Sequence, residues 1–136
     1  AGMVESTSGC ISEHSLAHAI SAFHPEFEHG AALISVSRAY YTHWAKAGCC
    51  DERMVEMAKA LGKRDAKEPM DFVAALEALM RACGVDDIKM SDYGMKREEL
   101  EKYARNARET MGGLYEVDPA PLSDADALKI LEESYR

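Results

Sequence analysis

Four of the five histidines of this chain, His14, His18, His24 and His29, fall within sixteen positions. Imidazole is the side chain with the widest use at neutral pH, as a proton carrier and as a neutral nitrogen ligand for Zn²⁺ or Fe²⁺. His14 and His18 are four residues apart. On an α-helix, at about 100° per residue, that spacing sets both rings on one face, one turn apart. Ala17, Ser21 and Ala22 share their side and are small, which leaves room for a cavity, whereas Leu16, Ile20 and Phe23 take the opposite side and suit a core. Alone, such a pair is more often incidental than a metal site, and two ligands do not make a stable one. Hydrolytic zinc chemistry is disfavoured, because Ser15 stands where an H-E-x-x-H motif has its general-base glutamate.

The elements that must position these rings are helical. His24-Pro25 ends the first helix near Phe23, since a residue before proline leaves the αR region and proline has no N–H to continue the ladder. After a short loop, His29-Gly30 opens a long apolar run from Ala31 to Ala47, so His29 stands at a corner from which it can face back to His14. Asp51 suits the cap of a helix carrying Val55, Ala58 and Leu61 and stopped by Gly62. Pro69 suits the first turn of a helix with Phe72, Leu76, Leu79 and Met80 inward, ended by Gly84. Val85 to Met95 reads as a connector. A charged helix from Lys96 to Met111 follows, buried through Leu100, Tyr103, Ala104 and Ala107 and ended by Gly112-Gly113. Ser123-x-x-Asp126 resembles a capping box for a last helix with Ala127, Ile130 and Leu131 inward. Ala1 to Ser8 reads as the tail of a helix ended by Gly9. The fold expected is all-α, a bundle of five to seven helices without a sheet, with His14 and His18 exposed.

Composition narrows the function classes. At 136 residues and 47% hydrophobic, the chain has material for one domain with its own core. A net charge of −8 without a basic stripe argues against nucleic acid or an anionic membrane as partner. No apolar run reaches the ~18 residues of a membrane span, and no signal peptide is evident at the start. Cys10, Cys49, Cys50 and Cys83 show no metal-ligand spacing, so free thiols in a reducing cytoplasm are expected. His43 belongs to the aromatic cluster Tyr40-Tyr41-Thr42-His43-Trp44 and reads as packing, and the eight methionines read as core filler.

The run His14-x-x-x-His18-x-x-x-Ala22-Phe23, then a short loop and His29-Gly30, resembles the histidine signature of the iron-containing (group III) alcohol dehydrogenases. Met90-Ser91-Asp92-Tyr93-Gly94-Met95, a charged helix and Asp118-Pro119-Ala120-Pro121-Leu122-Ser123 are similar in order and spacing to the tail of those enzymes. The likeness runs over essentially all 136 residues. His14 and His29 are fifteen apart, one more than the family's commonest spacing, with the extra residue in the loop after His24.

The resemblance implies a C-terminal all-helical domain, residues 1–136, without the NAD(P)-binding α/β domain that precedes it in such enzymes. It implies a divalent metal, Fe²⁺ or Zn²⁺, held by an aspartate and three histidines in the cleft between the two domains. His14 and His29 match the two ligands of the helical half, with His24 left open as the alternative to His29. His18 then lies near substrate and nicotinamide, orienting the substrate or relaying the alcohol proton. NAD or NADP contacts fall to the other domain, so no cofactor residue is assigned here. The implied partners are a small alcohol or aldehyde and the protein's own N-terminal domain, and a homo-oligomer is compatible with this. Two other readings remain: a relative of the same plan, such as a glycerol dehydrogenase or a dehydroquinate-synthase-like lyase, and a free-standing helical interaction module with incidental histidines.

Overall fold

The computed structural model of the chain describes residues 9–136, so the helix tail expected over Ala1 to Ser8 lies outside the described residues. Those described form six α-helices joined by turns and short 3₁₀ segments, with no strand among them. The helices are α1 (Ser12–Phe23), α2 (His29–Ala47), α3 (Asp51–Ala60), α4 (Met70–Cys83), α5 (Leu100–Met111) and α6 (Asp124–Ser134). α1 packs on α2, α2 on α6, α6 on α5, and α5 back on α1, which closes a ring of four helices around the core. The α3–α4 hairpin leans on the outside of this ring through α4 and α2. No helix among the described residues is long and apolar enough to cross a membrane.

The stop signals read from sequence act as expected at several places. His24 leaves the helical region at φ −130° and ψ 77°, ahead of Pro25. Gly48 and Gly84 close α2 and α4 in the left-handed conformation, at φ +67° and +68°. Ser123 and Asp126 form the reciprocal capping box of α6. Leu100, Tyr103, Ala104 and Ala107 are all buried on α5, and Ala127, Ile130 and Leu131 on α6.

Elsewhere the packing differs from the periodic pattern. Phe23, assigned to the core side of α1, is 40% exposed. Its ring stacks on Tyr103 instead, and the Lys102 ammonium sits 4.0 Å above it. Leu61 and Leu79 face outward from the α3–α4 hairpin, because that hairpin has a neighbour on one side only. Gly112 does not adopt a left-handed cap, and the chain runs on as a 3₁₀ segment, Gly112–Val117. The connector after α4 is not loose either, since Met90 and Met95 are both buried in the core.

The helix that carries His14 and His18 is anchored at its start by a distant residue. Ile11 precedes α1 and offers no capping side chain. Asp118 Oδ1 accepts the Ser12 N–H at 3.0 Å and the Tyr40 hydroxyl at 2.9 Å, and Ser12 Oγ lies 3.0 Å from that same hydroxyl. A carboxylate there meets the positive end of the α1 dipole as well as a free N–H. Burial holds the Tyr40 pKa far above the usual phenol range, which keeps the hydroxyl protonated as a donor. One turn on, the Ser15 hydroxyl donates to Met111 O at 2.9 Å and ties α1 to the end of α5. Buried Glu13 accepts from the hydroxyls of Ser37 and Tyr41, tying α1 to α2.

Candidate functional site

His14 and His18 project from the first half of α1, and His29 is the first residue of α2. The loop between them decides whether the three rings can meet. Phe27 N–H donates to His24 O and Ser21 Oγ–H donates to Phe27 O, each at 2.9 Å. The Phe27 ring is fully buried, 4.6 Å from that of Tyr93. A loop pinned by two hydrogen bonds and a core aromatic holds the start of α2 against α1. The residue in excess of the family's spacing is accommodated within this turn.

His14 Nδ1 then lies 3.3 Å from His29 Nε2, and the two ring centroids are 5.3 Å apart. His18 stacks on the other side of His29 with centroids 4.3 Å apart. His18 is exposed, as expected, whereas His14 is only half-exposed because the His29 ring covers part of it. The cluster opens to the surface at His18. His29 Nδ1 is buried without a hydrogen-bond partner.

His24 is turned elsewhere. Its Nε2 is 2.8 Å from the Tyr103 hydroxyl and 3.6 Å from Glu99, and its Nδ1 is 3.4 Å from Glu26. It joins the end of α1 to α5 and does not enter the cluster. His43 lies edge-on to Trp44 at 4.9 Å, a packing contact on α2.

The electrostatics favour neutral rings. Desolvation, and then the neighbouring His18 and His14, lower the His29 pKa from its ordinary value of 6.5. A neutral imidazole keeps a lone pair for a metal or a proton. Between the lowered and the ordinary pKa the unfolded chain binds more protons than the folded one, so stability rises with pH across that window. The contribution is complete above pH 6.5 and is lost as pH falls through the folded value. In a ring-proton NMR titration of the metal-free protein, His29 should therefore show a midpoint below 6.5, and His18→Ala should move it upward. A midpoint that stays put in the variant would remove His18 from the electrostatics of this cluster.

The donor set can be tested against a metal from its geometry. Two imidazole nitrogens each about 2.1 Å from one ion at a tetrahedral angle stand about 3.4 Å apart. The 3.3 Å between His14 Nδ1 and His29 Nε2 fits that spacing. Without an ion the same contact is a hydrogen bond whose donor is set by tautomer. No group of three His, Cys, Asp or Glu able to hold a metal occurs among the described residues, so this chain offers two ligands at most from this cluster. The residues that sequence reasoning missed are the ones that aim the rings: Ser12, Ser15 and above all Asp118, whose Asp-Pro step was visible only as part of a tail pattern.

Comparison with known proteins follows the same lines. The sequence matches the profile of the Fe-containing alcohol dehydrogenase family, C-terminal, over residues 1–135. No curated protein sequence matches the chain. Among solved structures, the chain is similar to the archaeal halo-thermophilic alcohol dehydrogenase ADH/D1 from a Red Sea brine pool, bound to NZQ, at 30% identity and a TM-score of 0.85. A histidine-to-alanine mutant of ADH/D1 aligns with the same TM-score of 0.85 at 28% identity. Each alignment covers 98% of this chain and 34% of the solved one, so the chain spans about a third of their length. A profile match along nearly the whole sequence, on the same all-helical architecture, means that this chain belongs to the Fe-containing alcohol dehydrogenase family, as its C-terminal helical domain.

Proposed function

We propose that the chain is the helical part of a two-domain, metal- and NAD(P)-dependent alcohol dehydrogenase, interconverting a small alcohol and its aldehyde. The observation that carries this reading is the 3.3 Å approach of His14 Nδ1 and His29 Nε2, with His18 stacked alongside. His14 and His29 hold the metal together with ligands from the N-terminal domain, which also binds NAD or NADP. His29 is preferred to His24, because the latter is engaged by Tyr103, Glu99 and Glu26.

A bound Fe²⁺ or Zn²⁺ supplies Lewis acidity toward the alcohol or aldehyde oxygen. The chain's own residues do the rest of its share. His14 and His29 present neutral nitrogens, and the anchors at Ser12 and Ser15 fix the helix from which His14 projects. His18 has no hydrogen-bond partner among the described residues and reaches the surface, so an imidazole nitrogen is available to take the proton that the alcohol loses. Stacking on His29 limits the tilt of the His18 ring. The two solved relatives are alcohol dehydrogenases, which supports this chemistry over that of a glycerol dehydrogenase or a lyase of the same plan. A free-standing interaction module has no observation in its favour.

The test compares the chain alone with the longer protein that carries it. The chain alone is expected to give helical circular dichroism and a cooperative melt, because a closed helical ring has its own core. It should give no NAD(P)H from primary alcohols with Fe²⁺ or Zn²⁺ added, as it lacks two of the proposed ligands and the dinucleotide site. The longer protein should turn over, stop with a chelator and recover with metal. A metal-dependent rate from the chain alone would overturn the two-domain reading, and a chelator-insensitive rate from the longer protein would overturn the metal.

A further inference from the structure

The turn between α2 and α3 holds a second cluster of ligating side chains, remote from the histidines. Gly48 ends α2, Cys49 and Cys50 follow, and α3 begins at Asp51. Both thiols are free, Cys49 is exposed and Cys50 is half-buried against the core. The two side chains are in hydrogen-bond contact with each other. His29 and this turn are at opposite ends of the 19-residue α2, about 27 Å apart at 1.5 Å per residue. The pair therefore stands outside the proposed catalytic chemistry.

We propose that Cys49 and Cys50 form a vicinal dithiol site for a thiophilic trivalent arsenical, gripped as a two-sulfur chelate. The alternatives fit less well. No peptide bond among the described residues is cis, so the adjacent Cα atoms are about 3.8 Å apart, below the roughly 4.4–6.8 Å over which disulfides usually form. A direct S–S bond would have to distort the turn, whereas an interposed atom keeps the sulfurs near the separation they already have. Four-coordinate Zn²⁺ would need further donors, and no such group of three occurs among the described residues. An organoarsenical brings one carbon and takes two sulfurs, which completes its three-coordinate centre.

The reaction balances without an oxidant. With an arsine oxide, two As–S bonds form, the two S–H bonds and the arsenic–oxygen bond break, and the oxygen leaves as water with both thiol protons. Arsenic stays trivalent and each sulfur keeps its oxidation state. Burial first, then Cys49 and Asp51, push the Cys50 thiol up to about 11, so it remains protonated at neutral pH and is a poor target for peroxide.

The test uses phenylarsine oxide and intact-protein mass spectrometry, with immobilised phenylarsine oxide as a second readout. The expected result is one adduct per chain, resistant to millimolar monothiol and released by a dithiol. Cys49→Ser and Cys50→Ser should each weaken retention by about a hundredfold, the loss typical of giving up one arm of a two-point attachment. Cys83→Ser should change nothing. Cys49 is exposed, so its serine variant is expected to fold, and a thermal melt checks that. An adduct released by monothiol, or one retained undiminished in Cys49→Ser, would overturn the proposal.

Discussion

Alanine at His14 or His29 in the longer, two-domain protein is expected to remove the bound metal and with it turnover, while alanine at His18 leaves the metal and lowers turnover alone. The split follows from the positions of the rings. His14 and His29 bring two nitrogens to 3.3 Å of each other, whereas His18 stacks on the far side of His29 and reaches the surface. Loss of a residue that only supports a ligand costs about 10–100-fold in metal affinity, and loss of a ligand itself should exceed that. A positioned general acid–base contributes about 10²–10⁴ in rate, so His18→Ala should lower kcat by at least about a hundredfold at unchanged metal content. His24→Ala should weaken the contact with α5 and leave both metal and kcat largely in place. Elemental analysis beside steady-state kinetics checks all four variants. Metal lost from His18→Ala and retained in His14→Ala would exchange the proposed roles.

Much of this arrangement is legible in the sequence, for reasons that also mark where legibility ends. Chain-local physics writes local signals. Pro25 ends α1, the box of Ser123 and Asp126 starts α6, and the 3.6-residue period places Leu100, Tyr103, Ala104 and Ala107 on one buried stripe. The histidine spacing likewise fixes which rings share a helix face. Periodicity says which residues lie together, however, and not what their face meets. Phe23 shares a side with Leu16 and Ile20, yet at the last turn of α1 that side has passed the core and meets Tyr103 and Lys102 at the surface. Leu61 and Leu79 follow the same logic on a hairpin that is covered on one side only. The meeting of His29 with His14 depends on Phe27 and Ser21, whose roles appear only once the turn is closed.

The least legible residue is Asp118, and its replacement should have the largest effect on stability of any change near the site. It lies 106 residues from Ser12, so no window along the chain links the two. Asp118→Ala would leave the Ser12 N–H and the Tyr40 hydroxyl without their shared acceptor at the start of α1. Losing a cap costs about 1 kcal/mol, and stranding a buried donor costs about 1–3 kcal/mol. A total of about 2–4 kcal/mol is expected, and at roughly 3 °C per kcal/mol for a domain of this size the melting midpoint should fall by roughly 6–12 °C. Asp118 Oδ2 is buried without a partner, so part of the carboxylate's own desolvation is uncompensated in the native chain. Asp118→Asn keeps the Oδ1 acceptor and removes that buried charge, and should cost much less than alanine. Tyr40→Phe leaves the Ser12 N–H capped and deletes one donor, for about 1 kcal/mol. The order alanine, then phenylalanine, then asparagine at these two positions distinguishes an acceptor that caps α1 from a carboxylate needed for its charge. Thermal melts of the three variants read it directly. Equal losses for Asp118→Asn and Asp118→Ala would mean that the charge itself, acting on the α1 dipole, holds the helix that carries His14.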